Sequence, residues 1–205
     1  RALDGVRDIE RLASKAAAGR ASPRDLRALG DSLARLPAVA AALAPTGAPG
    51  ALRTLLAEWD AADDLAHRIT HTLVDRPPLV VGEGETIAPG VDAELDAVRR
   101  LRDGGKDAIA QLQVEERART GIATLKVGYN RVFGYYLEVT RANAHLVPAE
   151  YQRRQTLSGA ERYVTPALQE FEERILTATE RSAALERERF EALRATVGAA
   201  IGRLQ

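Results

Sequence analysis

The chain has no cysteine and no methionine, and only 4% of its 205 residues are aromatic. Without cysteine there is no disulfide, no thiolate zinc site and no cysteine nucleophile. A reducing compartment is compatible with that composition. The missing methionine includes a start methionine, which suggests a fragment excised from a longer protein. One Trp and three Phe leave the core to Leu, Ala, Val and Ile, a composition suited to closely packed helices. No apolar run approaches the ~20 residues of a membrane-spanning helix, and no secretory signal opens the chain. An excess of one charge is lacking too, since 29 basic and 29 acidic side chains balance. The length supports one or two domains with a real core.

The few aromatics are concentrated. Residues 124–171 hold all five tyrosines (Tyr129, Tyr135, Tyr136, Tyr151, Tyr163) and two of the three phenylalanines. Aromatic and β-branched residues favour half-buried strands, whereas the flanking Ala, Leu, Arg and Glu favour helices. The composition predicts a mainly α protein with a small antiparallel β-module inserted into it. The module also holds the local charge excess: residues 121–165 carry six basic and three acidic side chains. An ordinary solvated face explains so small an excess equally well.

Apolar spacing predicts a helix over 4–18. A second starts at Ser22-Pro23-Arg24-Asp25, where Ser22 caps, Pro23 fits the first turn and Asp25 meets the helix dipole. It is expected to end near Leu36, before Pro37. Residues 45–50 read as a loop. The period of Leu52, Leu55, Leu56, Trp59, Ala62, Ala66, Ile69 and Leu73 predicts one helix over 51–74. Residues 77–90 read as a small β-hairpin turning at Glu83-Gly84. Residues 92–119 return to helix, with Gly104-Gly105 marking a kink, a break or a close contact. Four strands follow, near 123–129, 134–140, 151–157 and 161–165. Pro166 then opens a final helix whose stripe runs from Leu168 to Leu204, with Glu170, Glu172 and Glu173 expected in its first turn. One long helix leads into the β-module and another leads back, so two antiparallel struts are expected to carry the sheet at their far end.

Enzyme motifs are missing. Gly105-Lys106-Asp107 lacks both the upstream glycine and the hydroxyl of a P-loop, and no G-x-S-x-G elbow occurs. His67 and His71 stand four apart on a predicted helix, a metal-ligand spacing, but without the glutamate of an HExxH motif. A solvated helix face accounts for them. His145 reads as structural or surface. The live candidate for a site is the basic and polar set Lys126, Asn130, Arg131, Arg153, Arg154, Gln155, Thr156, Ser158 and Arg162, with the backbone amides around Ser158-Gly159. Guanidinium, hydroxyl and amide groups all donate to phosphate oxygens. In a regular strand Arg153 and Arg154 would point to opposite faces. The tyrosines read as sheet residues rather than base-stacking platforms.

The strings TLKVGYNRVFGYYLEVT and YQRRQTLSGAERYVTPALQEFEERIL resemble the MutS family of DNA mismatch repair proteins. DIERLASKAAAGRASPRDLRAL resembles the lever region of that family, and PPLVVGEGETIAPGVDAELDAVRRL the segment before its clamp. The resemblance implies a discontinuous helical lever or core domain over 1–120 and 166–205, and a clamp domain over 121–165. It implies binding of double-stranded DNA without sequence readout, with Arg154, Ser158 and Gly159 nearest the phosphates. The family commonly carries a basic residue and an Asn where this chain has Ser158-Gly159, so a charge and a side-chain donor are missing here. The mismatch-reading domain and the ATPase domain lie outside this stretch. The resemblance therefore implies no catalysis and no cofactor in this chain. It implies ATP and Mg2+ in the parent, a parent homodimer, a MutL-type repair partner, no membrane, and a bacterial cytoplasmic, nucleoid-associated location. The alternative is a helical scaffold whose terminal sheet docks a partner protein.

Overall fold

The computed structural model describes residues 3–43 and 50–204. The predicted loop over 45–50 falls mostly outside them. The chain divides into two compact units, Arg1–Leu95 with Ala183–Gln205, and Asp96–Ser182.

The first unit begins with α1 (Ile9–Ala17) and α2 (Pro23–Leu33). The α2 start follows the sequence expectation: Ser22 Oγ accepts from the Asp25 N–H at 3.1 Å, and Asp25 accepts from the Ser22 N–H at 3.0 Å. Such a capping box satisfies two helix-end donors reciprocally. Pro37 does not end that helix. It sits in the first turn of α3 (Leu36–Leu43), where a missing N–H costs nothing.

The helix predicted over 51–74 is two helices, α4 (Gly50–Ala57) and α5 (Asp63–Thr72). Between them Asp60 accepts from the Ala62 N–H at 2.8 Å, and Ala62 adopts a left-handed φ of 49°. The Ala62 carbonyl then accepts from Leu65 and Ala66, which starts α5 afresh. Trp59, expected in the apolar stripe, falls in this break and is 39% exposed. Arg203 reinforces the break by donating to Asp60 at 2.7 Å and to Asp64 at 2.8 Å. Its hydrogen bonds hold the Asp64 carboxyl down at about 2.

Leu26, Leu29 and Leu33 of α2 are fully buried, as is Ile69 of α5. Gly30 lets these two helices cross closely, since a Cβ there would lie 2.6 Å from Ile69 Cγ2. Arg27 closes the α5 C-terminus by donating to the Leu73 carbonyl at 3.0 Å.

The hairpin expected over 77–90 does not form. Pro77 and Pro78 cannot donate to a ladder. The later half of the segment pairs instead with the end of α5, through a Leu73–Ile87 bridge and a 2.8 Å bond from the Ala88 N–H to the Thr72 carbonyl. That pairing buries Ile87 completely and leaves Leu79 and Val80 more than half exposed.

The second unit contains most of α6 (Ala93–Asp103), α7 (Gly105–Thr120), four strands, and the first part of α8 (Pro166–Ala199). The two glycines do different things. Gly104 interrupts the helix, while Gly105 lies against Ile175, whose Cδ1 would be 2.9 Å from an added Cβ. The strands are β1 (Lys126–Asn130), β2 (Gly134–Thr140), β3 (Gln152–Thr156) and β4 (Ala160–Val164), all antiparallel in the order β1-β2-β4-β3. A 3-10 helix over Arg141–Leu146 joins β2 to the β3 approach. Leu137, Val139 and Tyr163 line one sheet face and are buried with Ile122, Leu125, Tyr151 and Leu168, with Ile109 and Leu112 of α7 packed against them.

Thr165 accepts from the Leu168 N–H at 3.2 Å, and Pro166 opens α8 as expected. The first turn of α8 holds no acidic residue. Glu170, Glu172 and Glu173 lie beyond it, and the Glu172 carboxylate sits where Gly134 leaves room for it.

Candidate nucleic-acid interface

β3 is an edge strand. Its register pairs Arg153 with Tyr163 but Gln155 with Arg162, so Arg154 is one residue too many. This is a β-bulge, and it breaks the alternation that a regular strand would impose. Arg153 and Gln155 therefore reach partners on opposite faces. Arg153 Nη1 stands 3.6 Å from Glu161 Oε1, while Gln155 Oε1 accepts from Arg162 Nη1 at 3.0 Å. Arg154 is exposed, and its side chain has no hydrogen bond or ion pair among the described residues.

The β3–β4 turn closes with the Leu157 N–H donating to the Ala160 carbonyl at 2.8 Å. Arg141, just past β2, covers the turn's carbonyls. Its N–H donates to Gly159 at 3.1 Å and its Nη2 to Leu157 at 3.0 Å. The exposed Ser158 and Gly159 amides have no acceptor among the described residues. Arg141 was absent from the sequence-derived set, because its role comes from donating to backbone across the sheet. The available signal was its position directly after Thr140, the residue that pairs with Ala160 at the turn.

The candidate residues divide into three groups. Thr156, Ser158 and Gly159 lie at the β3–β4 turn with Arg141, Arg154 is the bulge residue earlier in β3, and Arg153 beside it pairs with Glu161. Lys126, Arg162 and Gln155 form a cross-strand row with Glu138. In that row Arg162 is occupied: it donates to Glu138 Oε2 at 3.0 Å and lies 4.2 Å from the Tyr136 ring centroid. Asn130 and Arg131 are at the β1–β2 turn, the opposite end of the sheet. There Asn130 Oδ1 accepts from the Val132 N–H at 2.7 Å, beside the exposed Tyr129, Val132 and Phe133. Among the described residues the β3–β4 end of the sheet offers an unpaired guanidinium and backbone amides without an acceptor, the donor set that phosphate oxygens take. The exposed Arg131 side chain at the β1–β2 turn is likewise without a partner among the described residues.

The approach to β3 is anchored from beneath. Tyr151 donates its hydroxyl to Glu116 of α7, and the same Glu116 oxygen accepts from Arg119 Nη2 at 2.9 Å. Arg119 Nη1 in turn reaches Glu150 at 2.6 Å. Burial, and then the Glu116 contact, raise the Tyr151 phenol above its ordinary value. Burial, reinforced by the carboxylate of Glu161, pushes Tyr163 up to about 12.

A phenol with a folded-state pKa above its unfolded value of about 10 contributes stability that is fully present below pH 10. That contribution is lost as the pH rises through about 12. The urea midpoint is therefore expected to drop across this window, and Tyr163→Phe to flatten the drop. An identical alkaline profile for the Phe variant would exclude Tyr163 as a source.

His67 and His71 stack at 5.5 Å between ring centroids. Among the described residues no three His, Asp or Glu side chains converge as a metal site. Among the described residues no helix is long and apolar enough to cross a membrane.

Residues 90–181 match MutS family domain IV. The chain is 48% identical over 204 residues to the DNA mismatch repair protein MutS of Anaeromyxobacter sp. strain K, covering 100% of this chain and 23% of that protein. It is 46% identical over 203 residues to MutS of Myxococcus xanthus, covering 99% of this chain and 23% of that protein. It is 50% identical over 176 residues to MutS of a Synechococcus strain, covering 86% of this chain and 20% of that protein. The chain thus spans about a quarter of the length of the curated relatives it matches.

Proposed function

The chain belongs to the MutS family, and from that premise we propose that its β-module is a clamp gripping the backbone of duplex DNA without reading sequence. The observation that carries this is the β3–β4 end of the sheet: among the described residues the exposed Arg154 side chain on β3 has no acidic partner, and the Ser158 and Gly159 amides of the turn that follows have no acceptor. Such groups fix phosphates and carry no base information. The helical remainder acts as a lever in this reading. It couples the clamp to an ATPase domain of the parent, where ATP and Mg2+ would bind. The parent acts as a homodimer on mismatched DNA and engages a MutL-type partner in the bacterial cytoplasm, at the nucleoid. This chain itself performs no catalysis.

Few phosphates are in reach, so binding by this chain is weak and falls with salt. Each phosphate contact adds about 0.9 to the slope of log affinity against log salt. Titration of a labelled duplex at several salt concentrations reads that slope. Arg154→Glu is expected to cost about tenfold in affinity and to lower the slope by about one. Ser158→Lys restores a charge at the turn and is expected to act in the opposite direction. The rival reading, a scaffold docking a protein through the exposed Tyr129, Val132 and Phe133, requires duplex binding to ignore Arg154→Glu.

A further inference from the structure

A bulge residue is not held by the strand ladder, so the direction of its side chain depends on what holds its neighbours. Arg154 is flanked by two tethers. The Arg153–Glu161 pair is 3.6 Å long and the Arg153 side chain is 61% exposed. Solvent-screened pairs of that kind contribute little. The other tether runs from Gln155 to Arg162, at 3.0 Å. The Arg162 side chain is only 20% exposed and is held by Glu138 as well, at 3.0 Å. Its guanidinium is further confined by Tyr136, 4.2 Å away. Tyr136 cannot retreat, because its ring lies against Gly128, where even a Cβ would come within 2.6 Å of Cζ. The second tether is therefore the stiffer of the two.

We propose that Arg162 is a positioning residue for duplex binding: without touching DNA, it fixes the β3 bulge and so the direction of Arg154. This rests on the reading of the β3–β4 corner as the backbone-binding surface. The charge of Arg162 is offset by Glu138, so its part is geometric rather than electrostatic. The geometry needs a planar fork. Nε serves Glu138 while Nη1 serves Gln155, with the flat face toward Tyr136. A lysine ammonium keeps the charge but has no such fork.

Five variants of the 205-residue chain test this by duplex titration across salt: Arg162→Lys, Gln155→Leu, Arg154→Ala, and Arg154→Ala combined with each of the first two. Arg162→Lys and Gln155→Leu are each expected to weaken binding about fivefold, the size of a coupling of about 1 kcal/mol. Both should shift the salt slope toward that of Arg154→Ala, although neither removes a charge. In the Arg154→Ala background both are expected to be silent. Wild-type binding by Arg162→Lys, or a full additional loss in the Arg154→Ala background, overturns the proposal, because Arg162 would then be either idle or itself a DNA contact. An Arg154→Ala variant that binds like wild type overturns the corner as the DNA surface, a failure separate from that of the coupling. Should Arg162→Lys melt at a lower temperature, Gln155→Leu carries the comparison, since it leaves every ion pair of the row in place.

Discussion

Glu116→Ala is expected to destabilise the sheet-bearing unit by about 3 kcal/mol, while Glu116→Gln costs about 1 kcal/mol. The difference follows from what the carboxylate holds. One oxygen of Glu116 accepts from the buried Tyr151 hydroxyl and from both Nε and Nη2 of Arg119, the latter two at 3.2 and 2.9 Å. Alanine strands a phenol donor that is out of reach of water, and an unmet buried donor costs ~1–3 kcal/mol. The Arg119 share is smaller, because that side chain is 46% exposed and keeps Glu150 as a partner. Glutamine preserves an acceptor for Tyr151 and loses mainly charge assistance. Urea unfolding measures both variants, and adding Tyr151→Phe to Glu116→Ala should recover part of the loss. Equal costs for Ala and Gln would show that the network stabilises nothing beyond packing.

Gly30→Ala is expected to cost about 2 kcal/mol, against the usual trend. In an exposed helix interior alanine is preferred over glycine by ~1 kcal/mol. Here the new methyl would lie 2.6 Å from Ile69 Cγ2 and 2.9 Å from Ile69 Cβ. Ile69 is fully buried, and a β-branched side chain has little rotamer freedom to escape. The helices must move apart, and overpacking of a tight core costs ~1–3 kcal/mol. Ile69→Leu removes the offending branch methyl, so it should suppress much of the Gly30→Ala penalty when the two are combined. A stabilised Gly30→Ala chain in thermal melts would mean that α2 and α5 do not cross this closely.

Features set by neighbours in sequence were legible. The Ser22-Pro23 and Pro166 helix starts, the four strands, and the buried α8 positions Leu168, Ala178, Leu185 and Val197 all follow from local chemistry or period. Features set by distant partners were not. The break at 58–62 is reinforced by Arg203, far along the chain. Ile87 pairs with Leu73 across a connection that no hairpin pattern encodes. In the candidate site, residue type picked out the right kind of donor but not its availability. Arg154 and Arg162 read alike as sequence, yet among the described residues the Arg154 side chain has no partner and that of Arg162 is held by Glu138, Gln155 and Tyr136. The bulge itself lies within QRRQT, which has no glycine to announce it.

The outer border of β3 has a second consequence. Unpaired strand backbone invites a neighbouring molecule to add itself as a further strand, the first step toward aggregation. The irregular stretch at Arg154, with two adjacent cationic side chains, makes that border a poor template and sets copies of the protein against each other. Groups suited to holding a polyanion thus also keep the molecule from sticking to itself when no polyanion is present.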